Sequence, residues 1–255
     1  MLNDMFLMLG FCVLIGGCFG SFANMLIYRL CSEQSLMSAR SICPHCQSKL
    51  RLRDLIPIAS FLCLRGCCGS CKKPILKRYL LVELLTPILF FFFLYPSSFM
   101  TFNSHYLIFG YIILILFFTD LESYLLPLPL TSALVVLGIV VSFLDGILFS
   151  RLMVSLLIAM ALLSFRYIFN RIYKQDTFGL GDIILLVAIA LNFGWQICVS
   201  SFYCAVILGG CYSLVLILLK KRSRKDMIPF GPFIIIGILC SFKFLEIAVP
   251  FLLFT

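Results

Sequence analysis

Phe178-Gly179-Leu180-Gly181-Asp182 runs directly into Ile183-Ile184-Leu185-Leu186-Val187-Ala188-Ile189-Ala190. A carboxylate followed by eight apolar residues reads as the mouth of a membrane helix, where an acid is costly and functional by default. The two glycines remove side-chain bulk, so other backbone or a bound peptide can approach Asp182 closely. The same residues also suit a plain helix start, since Asp favours the N-terminal dipole and glycine makes a tight entry turn. Taken alone, the stretch leaves both readings open.

The rest of the chain has the same character. It is 255 residues long, 62% hydrophobic and 12% charged, with a mean hydropathy of +1.12. Soluble domains are near half apolar and a quarter charged, so this is an integral membrane protein. Its apolar runs have helix length rather than the ten-residue alternation of an outer-membrane barrel. The first run, roughly Phe6 to Ile27, lacks a basic leader and a cleavage site, so it reads as a span rather than a signal peptide. About eight windows follow this pattern: 6–28, 80–96, 105–119, 128–144, 150–168, 181–196, 197–219 and 230–252. The expected fold is therefore all-α, a polytopic membrane helix bundle of about eight transmembrane helices with a small polar loop between the first two.

The formal charge of +9 encodes topology rather than nucleic-acid binding. With the N-terminus outside, the inner segments hold Arg29, Arg40, Lys49, Arg51, Arg53, Arg65, Lys72, Lys73, Lys77, Arg78, Arg166, Arg171, Lys174, Lys220, Lys221, Arg222, Arg224 and Lys225. Only Arg151 and Lys243 of the 20 basic residues fall elsewhere. This orientation puts Asp120 and Asp182 at cytoplasmic helix ends, two acids on one face.

Three segments follow: 1–30 as the first transmembrane helix, 31–79 as a cytoplasmic loop and 80–255 as a transmembrane core. The loop is too small to bury a core of its own and needs a staple. Cys43-Pro44-His45-Cys46 and Cys68-Gly69-Ser70-Cys71 are two Cys-x-x-Cys pairs separated by 21 residues. That spacing fits a structural four-thiolate zinc site, which leaves no open position for water. Paired disulfides are the alternative, disfavoured in the cytoplasm; Cys67 and His45 are possible substitute ligands. Cys12, Cys18, Cys198, Cys204, Cys211 and Cys240 lie in apolar spans and read as small packing residues.

Thr119-Asp120-Leu121-Glu122 ends the third window, before Leu126-Pro127-Leu128-Pro129. Two prolines in three residues stop a helix and suit the entrance of a site or an interfacial loop. Glu122 reads as solvated, and Asp120, abutting the span, as the second acid of a pair. Lys220 to Lys225 reads as a topology anchor or a lipid contact. Ile228-Pro229-Phe230-Gly231-Pro232-Phe233 reads as a stiff helix entrance. Peptide hydrolysis by two carboxylates needs one ionised to activate water and one protonated to assist the carbonyl oxygen. His45 lies in the loop and His105 on the opposite face, so no Ser-His-Asp or Cys-His set is available near Asp182. No phosphate-binding Gly-x-x-x-x-Gly-Lys loop occurs.

These residues together resemble the type IV prepilin peptidases, membrane aspartyl enzymes that process prepilins and competence pseudopilins. The resemblance rests on Phe19-Gly20-Ser21-Phe22-Ala23-Asn24 with Ile27-Tyr28-Arg29; on the two cysteine pairs with Leu64-Arg65-Gly66; and on Arg78-Tyr79-Leu80-Leu81-Val82-Glu83-Leu84-Leu85-Thr86. Thr119-Asp120 with Leu126-Pro127, Gly179-Leu180-Gly181-Asp182 and Pro229-Phe230-Gly231-Pro232 complete it. It implies Asp120 and Asp182 as the catalytic pair. It also implies cleavage of a basic leader at a Gly–Phe type junction on the cytoplasmic face of the bacterial inner membrane, with prepilins or pseudopilins as membrane partners. Methylation of the new N-terminal amine with S-adenosylmethionine is implied as well. Relatives carry an acid where Leu128 stands, a lysine where Ile184 stands and a small residue where Pro87 stands. The alternatives are a peptidase without methyltransferase activity, a transporter using intramembrane acids, and a zinc-dependent interaction protein. A transporter site is expected near the bilayer midplane, whereas both acids here lie at one face.

Overall fold

The computed structural model describes residues 2–32, 34, 42–43, 45–94, 104–174, 178–220 and 228–252. Arg40, Pro44 and the cluster from Lys221 to Lys225 lie outside the described residues. Among these residues there is no strand, and helices dominate: α1 Leu2–Cys31, α2 Ala59–Cys63, α3 Lys77–Leu94, α4 Ser104–Ser123, α5 Leu128–Leu144, α6 Leu148–Tyr173, α7 Leu180–Phe193, α8 Trp195–Leu218 and α9 Gly231–Leu252. Each of the eight apolar windows coincides with a helix. Four helices among the described residues (α1, α4, α6 and α8) are long and apolar enough to cross a membrane unaided. The apolar parts of α5, α7 and α9 are shorter, and α3 carries Lys77, Arg78 and Glu83. Length and hydropathy therefore identify four spans, where the sequence pattern suggested about eight.

The chain divides into two compact units, Met1–Ile115 and Leu116–Thr255, with the boundary inside α4. In the first unit α1 and α3 lie backbone to backbone, as membrane helices do where small residues meet. A Cβ on Gly16 would sit 2.6 Å from Pro87 Cα, and one on Gly20 would sit 2.8 Å from Glu83 Cα. Pro87 lacks an N–H, so the helical partner of the Glu83 carbonyl is missing within α3. Asn24 Nδ2 donates to the Tyr79 carbonyl at 2.8 Å, which fixes the far end of the pair. Phe19 packs against Phe90 at 5.2 Å and edge-on to Tyr111 at 5.4 Å. The Tyr111 hydroxyl donates to the Phe19 carbonyl at 2.9 Å.

The second unit is arranged around α7, the helix behind the opening sequence. Ile183, Leu185, Leu186 and Ala188 to Asn192 are buried, 8 of its 14 residues. A helix apolar on most sides needs neighbours on most sides, and α5, α6 and α8 supply them. Its C-terminal carbonyls, unpaired within the helix, are taken by side chains from those neighbours. Ser142 Oγ donates to Leu191 O at 3.0 Å, and Arg151 donates to Ala190 O at 3.2 Å. Asn192 Nδ2 donates to Leu134 O at 3.0 Å and Ala188 O at 2.8 Å. Gly194, at φ 97°, then turns the chain into α8. By contrast, only 6% of the best apolar window of α6 is buried in the protein, which is how a lipid-facing helix looks.

Candidate active site and metal centre

Asp120 lies in the last turn of α4 and is buried, as is Thr119 beside it. The helix ends because Tyr124 turns left-handed at φ 55°, with its N–H returning to the Asp120 carbonyl at 2.9 Å. Pro127 then caps α5, with Pro129 in its first turn. The intervening Leu126 packs against two glycines of other helices. A Cβ on Gly181 would sit 2.8 Å from Leu126 Cβ, and one on Gly231 would sit 3.3 Å from Leu126 Cδ2.

Asp182 stands in the first turn of α7, and the backbone of Gly179 hydrogen-bonds to its carboxylate. A Cβ on Gly179 would come within 2.7 Å of Asp182 Oδ2, so only glycine lets that backbone approach. The Phe178 carbonyl one residue earlier accepts from Arg166 at 2.6 Å. Phe178, Phe202 and Phe230 form a ring cluster beside this turn, with centroids 5.6 to 6.4 Å apart.

The two acids, 62 positions apart in the chain, lie within Coulombic range of each other. A third element reaches them. The N–H of Gly231, the first residue of α9, donates to Asp120 Oδ2 at 2.9 Å in a buried hydrogen bond. A helix N-terminus offers N–H groups and a positive dipole end, so α9 holds the Asp120 carboxylate in place. The sequence marked Pro229-Phe230-Gly231-Pro232 as a stiff entrance and as part of the family resemblance; the backbone hydrogen bond it makes is not announced by side-chain identities. Glu122 is exposed, as its position implied. Chemically, the arrangement is two carboxylates, Asp120 buried and Asp182 half-buried, each with one edge restrained by backbone.

In the first unit, Cys43, Cys46, Cys68 and Cys71 bring their sulfurs within 4.8 Å of one another. Each pair sits on the same kind of hook. Cys43 N–H donates to Ser48 O at 3.0 Å and Gln47 N–H to Cys43 O at 2.9 Å; Cys68 N–H donates to Lys73 O at 2.9 Å and Lys72 N–H to Cys68 O at 3.0 Å. Gln47 and Lys72, one residue past the second cysteine, are left-handed at φ 57° and 59°. Isolated bridges Ile42–Lys49 and Cys67–Pro74 close the two hooks. Neither Cys67 nor the exposed His45 is among the four residues whose ligand atoms converge. All thirteen cysteines are free thiols in this structure.

Two of the four thiols, Cys46 and Cys68, are shifted toward the thiolate, the form that binds a metal. The Ser48 hydroxyl, 3.0 Å from Cys46 Sγ, and then the Ser48 backbone bring the Cys46 thiol down to about 6. The backbone at Cys71 and Ser70 lowers Cys68. Cys71 moves the other way, to about 11: the Lys73 backbone favours its thiolate, but desolvation and hydrogen bonds to Cys46, Cys68 and Cys43 outweigh that. Four crowded sulfurs do not all ionise without a cation among them. Four convergent thiols with tetrahedral reach fit a divalent ion closed to solvent.

Residues 14–96 match the family model of the bacterial peptidase A24 N-terminal domain, and residues 107–214 match that of the type IV leader peptidase family. The chain is 34% identical over 212 residues to a prepilin leader peptidase/N-methyltransferase of Aeromonas hydrophila, covering 80% of this chain and 71% of that one. It is 30% identical over 250 residues to the protein of the same name from Legionella pneumophila, covering 88% and 87%. It is also 29% identical over 245 residues to a type 4 prepilin-like proteins leader peptide-processing enzyme of Escherichia coli O78:H11, covering 86% and 87%. No solved structure matches it. With both family models matched in tandem and relatives aligned over most of their length, the chain belongs to the type IV leader peptidase family.

Proposed function

We propose that this protein is an aspartyl endopeptidase of the bacterial inner membrane. It cleaves the basic leader of type IV prepilins or pseudopilins at a Gly–Phe type junction on the cytoplasmic face. It then N-methylates the exposed amine with S-adenosylmethionine. The observation that carries the peptidase reading is the meeting of Asp120 and Asp182 at the mouths of α4 and α7, with Gly231 of α9 donating to Asp120.

The chemistry follows from that geometry. Asp120 Oδ2 is engaged by the Gly231 N–H, leaving Oδ1 for water or substrate, and Asp182 is likewise restrained by Gly179. The ionised acid takes a proton from water as the oxygen attacks the scissile carbonyl, and the protonated acid gives its proton to the carbonyl oxygen. Collapse of the tetrahedral adduct breaks the C–N bond, and the first acid passes its proton to the leaving amine. Two carboxylates within Coulombic range of each other do not easily ionise together, which favours the one-proton state that the reaction needs.

In this reading the chain spans the membrane about eight times with its N-terminus outside, α3, α5, α7 and α9 crossing beside the four longer spans. Residues 1–30 form the first span, 31–79 a cytoplasmic domain and 80–255 the peptidase core. Zinc held by Cys43, Cys46, Cys68 and Cys71 staples the cytoplasmic domain and takes no part in cleavage. The test is incubation of purified Asp120→Asn and Asp182→Asn proteins with a leader-bearing pseudopilin, followed by N-terminal sequencing of the product. Both variants are expected to leave the leader intact. Correct processing by either one would remove that acid from the mechanism.

A further inference from the structure

Part of the polar loop lies beside the middle of a membrane span. Pro57, two residues before α2, packs on α1 at Gly17, where an added Cβ would sit 3.1 Å from Pro57 Cβ. Phe22, nearer the C-terminal end of α1, is 50% exposed. The apolar surface of that span therefore continues past Gly17 by about 7 Å. Pro57 sits about that far inside the apolar zone, the depth at which interfacial segments lie.

The segment is built for that depth. Ile56 and Leu62 are 53% and 62% exposed, two large apolar side chains that the protein does not cover. Irregular backbone is tolerated beside lipid only where its polar groups are paired. Pro57 carries no N–H, and the Ile58 N–H donates to Glu83 Oε2 at 2.7 Å. The N–H groups of Ala59, Ser60 and Leu62 donate to the carbonyls of Pro57, Ile56 and Ile58 at 2.6, 3.0 and 3.1 Å. Glu83, a buried carboxylate on α3, thus satisfies an amide that lipid could not.

The same segment borders a cavity of about 470 Å³. Arg51, Arg53 and Lys72 line it with one acid, Asp54. That acid is already engaged: it accepts the Arg51 N–H at 3.2 Å and lies 3.9 Å from Arg53 Nε. Three cations against one carboxylate leave the cavity basic, while Ile56 and Leu64 line the same space. A basic peptide has the wrong charge for it. A phosphate with acyl chains attached matches both the cations and the apolar side.

We propose that residues 55–64 form an in-plane segment of the inner leaflet, and that the cavity holds the phosphate of an anionic phospholipid. Only the choice of leaflet rests on the orientation proposed above; neither the peptidase nor the methyltransferase reading is needed.

The experiment uses the full chain reconstituted in vesicles and two measurements. Trp195, the single tryptophan, is replaced as Trp195→Phe, and Ile56→Trp, Leu62→Trp or Lys49→Trp is added singly, with metal content and size-exclusion elution reporting folding. In phosphatidylcholine with brominated acyl chains, fluorescence at positions 56 and 62 is expected to fall about twofold or more, and at position 49 to stay unchanged. Quenching at 56 and 62 no greater than at 49 overturns the insertion. Paramagnetic resonance then compares spin-labelled phosphatidylglycerol with spin-labelled phosphatidylcholine on the otherwise unmodified chain. Arg53→Gln combined with Lys72→Gln is expected to lower the preference for phosphatidylglycerol about fivefold or more, the scale of one basic residue at a membrane surface. An unchanged preference overturns the headgroup site. Displacement of the bound phosphatidylglycerol by inorganic phosphate at constant ionic strength marks a free-anion site and overturns it as well.

Discussion

Gly231→Ala isolates the hydrogen bond that α9 makes to the acid pair. An alanine Cβ would lie 2.8 Å from Asp120 Oδ2 and 3.3 Å from its Cγ. An ordinary contact begins at 3.4 Å, so the carboxylate must retreat by about 0.6 Å. That movement stretches the 2.9 Å bond from the Gly231 N–H to the edge of hydrogen-bond range. A hydrogen bond to a charged group contributes about 1.5–3 kcal/mol, which corresponds to roughly 10- to 100-fold in rate when it orients a catalytic acid. Misplacement of reacting groups by a sizeable fraction of an ångström gives a loss of about the same order. The assay is kcat/KM for leader cleavage from a pseudopilin in micelles. Gly210→Ala serves as the control, because nothing lies within 4 Å of its added Cβ. The expected result is a 10- to 100-fold loss at Gly231 and an unchanged rate at Gly210. Cleavage by Gly231→Ala within about twofold of the unmodified rate would refute the positioning role.

Other perturbations read other parts of the molecule. Arg166→Met removes the donor to the Phe178 carbonyl and is expected to lower kcat for leader cleavage several-fold without moving KM; an unchanged kcat argues against control of the Asp182 turn from α6. Arg151→Met removes the side-chain donor to the Ala190 carbonyl and should cost about 1–3 kcal/mol of stability, read as a lower Tm with metal content unchanged. Cys43→Ser should reduce bound zinc and expose residues 42–75 to protease, and full zinc stoichiometry in that variant would count against the four-thiolate set. Acidification should release the metal. Cys46 has a depressed folded value near 6, so the stability its thiolate contributes is present above the ordinary thiol range and disappears as pH falls through about 6. Zinc release followed with a chromogenic chelator should therefore rise as pH drops from 7 to 5, and retention of zinc throughout would contradict that ordering.

Much of this arrangement was legible in the residues themselves. Periodicity and length located every long helix, because hydrocarbon demands continuous apolar stretches. Asp120 and Asp182 stood out because acids at the ends of membrane spans are costly, and the cysteine spacing pointed to the four thiols that converge, with Cys67 and His45 left as substitutes. The roles of Gly231, Leu126 and Arg166 were opaque for a shared reason, although the first two fall in stretches that carry the family resemblance. Gly231 acts through a peptide N–H, Leu126 through its fit between Gly181 and Gly231, and Arg166 through a bond to a distant carbonyl. None of these depends on a residue type that sequence marks as reactive. Arg151 illustrates the converse. It broke the charge asymmetry expected of an outward segment, and its bond to the Ala190 carbonyl gives it a local reason to be there. Beyond the shared Cys-x-x-Cys spacing, the likeness of the two hooks resides in hydrogen bonds and left-handed residues, which side chains do not announce.

The 14 residues of α7 have one more implication. At 1.5 Å per residue the helix rises about 21 Å, well short of a hydrocarbon layer of about 30 Å. Packed inside its unit, it is poorly placed to recruit lipid to close that gap. In the orientation proposed above, Asp182 at its start would therefore lie below the headgroup level, and water and an unwound stretch of substrate would have to descend to it. An enzyme built this way is a thickness gauge: shorter acyl chains make the descent shallower, and longer ones deepen it.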